Sequence, residues 1–136
     1  MITVKSPREI EQMSRAGRIV AGTLGLVESQ AAPGVSTWEL DRLAEEYIRS
    51  HEGATPSFKG LYGFPATLCT SINAEVVHGI PSKRRVLKEG DIVSVDCGVK
   101  LRGYCGDSAT TIPVGRIRPE AQRLLDVTSR SLDLAI

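Results

Sequence analysis

A chain of 136 residues and 14.7 kDa makes one modest domain, able to bury roughly 65–70% of its unfolded surface. Hydrophobic residues at 41% and charged residues at 24% exclude a disordered chain and a fibrous repeat. The net charge is +1, from 17 basic and 16 acidic residues, so no electrostatic signal points to nucleic acid or an anionic membrane.

No apolar run approaches the roughly 20 residues of a membrane span, and Met1 to Pro7 holds no hydrophobic stretch for export. Cys69, Cys97 and Cys105 form no C-x-x-C pair and leave one thiol over under any disulfide scheme. A reducing, cytoplasmic setting is expected.

Ser6-Pro7-Arg8-Glu9 supplies an N-cap serine, a proline at the first helical position and a glutamate that completes a capping box. The helix it opens carries Ile10, Met13, Gly17, Val20, Leu24 and Val27 at steps of three and four, which predicts one buried stripe. Pro33-Gly34 stops it. Ser36-Thr37-Trp38-Glu39 repeats the capping logic and opens a second helix with Leu40, Leu43, Ala44, Tyr47 and Ile48 inward. His51 closes that helix, where the dipole favours a cation.

From Glu52 to Pro65 the glycines and prolines rule out a long helix, and Phe58, Tyr62 and Phe64 lie among them. The segment reads as an ordered loop lining something. Short strands are expected over Leu68 to Ser71 and Glu75 to His78. Ile92 to Val99 alternates, with Val93, Val95, Cys97 and Val99 on one face and Ile92, Ser94, Asp96 and Gly98 on the other. A hairpin loop over Lys100 to Gly103 leads to a partner strand from Tyr104 to Val114. Arg118-Pro119-Glu120 opens a third helix that runs to Ile136 without a terminating signal, and the chain is expected to be cut short there.

A loop centred on Leu101 and Arg102 sets Asp96 opposite Asp107. Opposed side chains in an antiparallel ladder have Cβ atoms about 4.5–5.5 Å apart, and like charges there are destabilising. One carboxylate relieves this by taking up a proton. The other remedy is a hard divalent cation held between them, as in hydrolases that activate water. The alternative is two unrelated aspartates on a wet strand face. His78, before a turn, is structural, exposed or placed in a cleft. Cys69 lines an apolar pocket with Phe58 and Phe64, or acts as a nucleophile with His78 as base, for which no signature exists. The register puts Cys97 and Cys105 on opposite faces, so they should not bridge.

The runs Thr70 to Pro81, Glu89 to Asp96, and Gly106-Asp107 with Val114-Gly115 resemble the type I methionine aminopeptidase family, as do Lys5 to Met13 and Ala32-Pro33-Gly34. The resemblance covers almost the whole chain. It implies an α+β architecture, the first half of a pita-bread (creatinase/aminopeptidase) fold: an antiparallel sheet with helices packed on one face. Residues 1–136 would form the N-terminal half of the catalytic domain, ending within the first helix of the second half.

The implied activity is metal-dependent removal of the initiator methionine from nascent proteins and peptides by the complete enzyme, using two divalent ions (cobalt, manganese, iron or zinc). Asp96 and Asp107 match the two aspartate ligands, and His78 a catalytic, substrate-contacting histidine. Phe64 and Cys69 match the pocket for the methionine side chain. Phe58 and Leu61 fall on pocket positions with residue types unlike those of the best-known members. Asn73 falls where the family holds a monovalent cation. The ligand histidine and two ligand glutamates should come beyond Ile136, which leaves this segment inactive alone.

The implied partners are polypeptide N-termini, with no nucleic acid and no membrane. The complete enzyme is expected as a monomer and the segment as able to self-associate. Two alternatives stand beside this: an Xaa-Pro-type peptidase of the same fold, and a non-catalytic binding module.

Overall fold

The computed structural model describes residues 3–136. Helix α1 (Pro7–Gln30) starts on the expected capping box: the Glu9 carboxylate accepts from Ser6 N at 2.8 Å, and Ser6 Oγ accepts from Glu9 N. Helix α2 (Thr37–Arg49) starts the same way, with Ser36 N donating to the Glu39 carboxylate at 2.8 Å. Past its end, His51 Nδ1 lies 2.8 Å from the Tyr47 carbonyl oxygen, at the electronegative terminus that suits it.

The stripe on α1 differs from the sequence expectation. Ala16, Ile19, Val20, Thr23 and Val27 are buried, whereas Ile10 and Met13 are 56% and 39% exposed. Burial along the helix begins at Ala16, beside the point where two glycines meet. A Cβ on Gly106 would lie 2.6 Å from Gly17 N and 2.8 Å from Ala16 C, so helix and strand backbones touch there and only glycine fits. Gly22 leaves room for the Tyr47 side chain of α2, whose hydroxyl oxygen a Cβ there would approach to 2.3 Å.

The sheet is antiparallel and centred on β3 (Ile92–Leu101). One edge of β3 pairs along its length with β4 (Tyr104–Pro113). The other edge pairs in turn with β2 (Leu68–Ile72) and β1 (Ala54–Pro56). Strand β1 escapes sequence reading, because three residues beside Gly53 and ending on Pro56 carry no periodic signal. The strand expected over Glu75 to His78 does not form; that segment is turn and irregular backbone, with φ of 56° at Asn73 and 61° at His78. The loop from Glu52 to Pro65 is otherwise as expected, with one tight 3₁₀ turn at Leu61–Gly63.

The alternation in β3 decides the two faces. Val93, Val95, Cys97 and Val99 are fully buried against Val20, Val27, Leu40, Ala44 and Ile48. Each such side chain contributes about 1.5–3 kcal/mol. Helices α1 and α2 cover this face. Burial pushes the Cys97 thiol up to about 12, so it packs as a small neutral core group. Helix α3 (Pro119–Ala135) buries none of its residues. No helix is long and apolar enough to cross a membrane among the described residues.

Candidate metal centre

The turn between β3 and β4 is Arg102-Gly103, with φ of 49° and 93°, the positive values that two-residue hairpin turns require. Opposed residues therefore differ from the expected pairs by two. Asp96 faces Ala109, and Asp107 faces Gly98. The direct opposition expected from the sequence is corrected to a diagonal one. A slip of two conserves the face where a slip of one would invert it, so both carboxyls still project from the side opposite the core. Diagonal neighbours lie about 7–8 Å apart at the backbone and remain within side-chain reach.

The two groups feel each other. Burial raises the Asp96 carboxyl above its ordinary value of 3.8, and the charge and hydrogen-bonding capacity of Asp107 raise it further. His78 and the backbone N–H of Cys97 oppose the shift. Asp96 is half-buried and Asp107 exposed. The pair thus forms an oxygen-rich, anionic spot that a proton or a cation would stabilise.

Three rows cross the sheet on this face. Ser71 pairs with Ser94 and Thr111, and Cys69 with Asp96 and Ala109. In the third, Gly98 pairs with Asp107, and the Phe58 ring lies directly on Gly98, since a Cβ there would come 2.6 Å from Phe58 Cε1. A cleft of about 770 Å³ joins Cys69, Ser71, Asn73, His78 and Asp96, with Leu124, Leu125 and Leu132 of α3 on its far wall. Phe58, Leu61 and Phe64 do not line this cleft; Phe58 and Phe64 are half-buried, and Leu61 is 51% exposed on the 3₁₀ turn.

Cys69 is buried, and its thiol is pushed up to about 11, first by burial and then by the charges of Asp96 and Asp107. It stays protonated at neutral pH and suits a pocket lining, not a thiolate nucleophile. Cys105 is exposed on the site face while Cys97 is buried on the other; both are free, as expected. His78, with φ of 61°, holds a backbone conformation that costs a non-glycine residue about 1–3 kcal/mol. Asn73 has spent its side chain: Nδ2 donates to Asp91 at 2.8 Å, and Oδ1 accepts from Ile92 N at 3.0 Å.

Asp41 was not legible as a site residue. It is 8% exposed on the inward stripe of α2, and its Oδ1 accepts from Thr67 N at 2.9 Å and Leu68 N at 2.7 Å. It thereby fixes the start of β2 just before Cys69. An aspartate beside Leu40 and within the Leu40-Ala44-Ile48 spacing was the available signal. Among the described residues no group of three or more His, Cys, Asp or Glu is arranged to hold a metal ion. What the chain assembles is one carboxylate pair with a histidine and a thiol beside it.

The family model for metallopeptidase family M24 matches residues 11–136. The chain is similar to a methionine aminopeptidase of Clostridium acetobutylicum, 58% identical over 131 residues, which are 96% of this chain and 52% of that protein. It is also similar to the crystal structure of a Thermotoga maritima methionine aminopeptidase, with TM-score 0.96 and 43% identity over 100% of this chain and 54% of that one. An Escherichia coli aminopeptidase P, at TM-score 0.81, 24% identity and coverage of 95% and 28%, shares the pita-bread fold. The chain spans about half the length of the curated relatives it matches.

Proposed function

From the premise that this chain belongs to metallopeptidase family M24, we propose that it is the N-terminal half of a methionyl aminopeptidase catalytic domain. Helix α3 is then the first helix of the second half. The complete protein removes initiator methionine from the N-termini of nascent polypeptides. It works in the cytoplasm as a monomer, with no nucleic acid or membrane partner. The observation that carries this is the diagonal pair Asp96 and Asp107 on the open face of one hairpin.

Carboxylate oxygens suit hard divalent cations, and burial together with the neighbouring Asp107 charge raises the Asp96 carboxyl. The donor set fits, and it is partial. Asp96 and Asp107 would hold two divalent ions together with a histidine and two glutamates that follow Ile136 in the complete protein. Cobalt, manganese, iron and zinc all suit such a site. Bound there, the ions would supply Lewis acidity and a water acidified toward neutral pH.

The chain's own residues hold and orient the substrate. Phe58 and Phe64 offer apolar faces to the methionine side chain, the neutral Cys69 thiol gives a soft polarisable contact for its thioether, and Leu61 closes the rim. His78 reaches the scissile amide from its loop without binding metal. A monovalent cation near Asn73 would draw on main-chain carbonyl oxygens, since both side-chain groups are engaged.

Peptide hydrolysis by the full-length protein tests the reading. Release of methionine from Met-Ala-led peptides, with no cleavage of Xaa-Pro peptides, is the expected result. Preference for Xaa-Pro peptides would transfer the chain to the proline-specific branch of the fold. Metal-replete protein that cleaves neither would leave a binding module.

A further inference from the structure

Glu75 to Ile80 carries His78 on irregular backbone, with Val76, Val77 and His78 exposed. Its anchors flank the histidine. On one side the Glu75 carboxylate accepts from Ile72 N at 2.9 Å and pairs with Arg85, whose Nη1 donates to the Ile80 carbonyl oxygen at 3.1 Å. The residue after His78 is held more tightly. Gly79 N donates to Ser71 Oγ at 3.1 Å, and the Gly79 carbonyl oxygen accepts from Thr70 N at 2.8 Å.

This clamp requires glycine, since a Cβ on Gly79 would sit 2.1 Å from the Thr70 carbonyl oxygen. Ser71 is 2% exposed and pairs with Ser94 on the face that bears Asp96. Its hydroxyl is the side-chain group that holds the residue next to His78 to the strand beside the carboxylates. A histidine at φ of 61° keeps that conformation only where its surroundings fix it.

We propose that Ser71 is a positioning residue for His78: its hydroxyl, through Gly79 N–H, sets the distance of the imidazole from the substrate amide. This rests on the reading of His78 as the group that contacts substrate. A misplacement of about 1 Å is enough to cost up to roughly 100-fold in rate. The effect should fall on kcat, because the contact matters most in the transition state.

The test uses the full-length, metal-loaded protein and the variants Ser71→Ala, Ser71→Thr, His78→Ala and the double variant Ser71→Ala/His78→Ala. Expected for Ser71→Ala are a kcat lower by roughly 10- to 100-fold, KM within about twofold of wild type, unchanged metal content, and faster amide exchange at Gly79. Ser71→Thr should restore kcat. In the His78→Ala background Ser71→Ala should cost nothing further, since both act through one group. Equal losses in both backgrounds, or unchanged kcat despite a loosened Gly79 amide, would overturn the proposal.

Should the wild-type protein leave Met-Ala-led peptides intact, the peptidase reading fails by itself. The clamp is then read from the His78 ring NMR resonances, which must shift in Ser71→Ala and return in Ser71→Thr. Resonances that stay put would end the positioning role.

Discussion

Asp41 carries more of the site than its place in the middle of a helix suggests. One oxygen of a nearly buried carboxylate accepts two backbone N–H groups, from Thr67 and Leu68, and so fixes where β2 begins and where Cys69 points. Leaving both donors buried and unpaired costs about 1–3 kcal/mol each. Asp41→Ala should therefore lose about 2–6 kcal/mol in urea unfolding. Asp41→Asn keeps an acceptor oxygen and should lose no more than about 1.5 kcal/mol. Equal losses would show that charge, not acceptance, is what matters.

At this scale the sequence was legible where parity decides. Asp96 and Asp107 share a face under either register, so a shift of two residues leaves both carboxyls on one side of the sheet. The pairing itself was not legible, because Arg102 at φ of 49° carries none of the asparagine or glycine signal of such turns. Asp41 and Ser71 stayed hidden because hydrogen bonds to distant backbone leave no periodic trace.

Among the elements, α1 and α2 could be read almost to the residue, since a capping box is local chemistry and the two serines cap as expected. Strand β1 was missed, and a strand over Glu75 to His78 was expected where none forms. In both places the outcome depends on which edge of β3 or β2 is free, which is tertiary information.

One link between elements has a pH signature. Glu45 on α2 is held below its ordinary 4.5, chiefly by its hydrogen bond from the Lys59 ammonium at 2.6 Å. Lys59 follows Phe58, so the pair ties α2 to the aromatic loop. The folded value lies below the unfolded one. The stabilisation is thus present above pH 4.5 and lost as pH falls through the lowered value. Lys59→Met should lower the urea midpoint at pH 7 by an amount worth at most about 1 kcal/mol, and the gap from wild type should narrow as pH falls below 4.5. A gap that persists in acid would mean that packing of the lysine stem, and not the ion pair, makes the link.

On the scale of the whole molecule, α3 sets the terms. It leaves Leu124, Val127, Leu132 and Leu134 between 55% and 78% exposed, and Leu124 and Leu132 line the cleft that holds Asp96. Apolar surface of this kind marks an interaction face, and the chain spans about half of its relatives. Residues 1–136 alone should scatter light as a species heavier than 14.7 kDa; a monomer at every concentration would contradict this.

The most direct test of the account is elemental analysis of the full-length protein beside its Asp107→Asn variant. Loss of bound divalent metal is expected from the variant, with a thermal midpoint no lower than that of metal-free wild type, because removing one of two neighbouring carboxylates relieves repulsion. Metal bound in the same amount by both proteins would contradict the assignment of this hairpin as the metal centre.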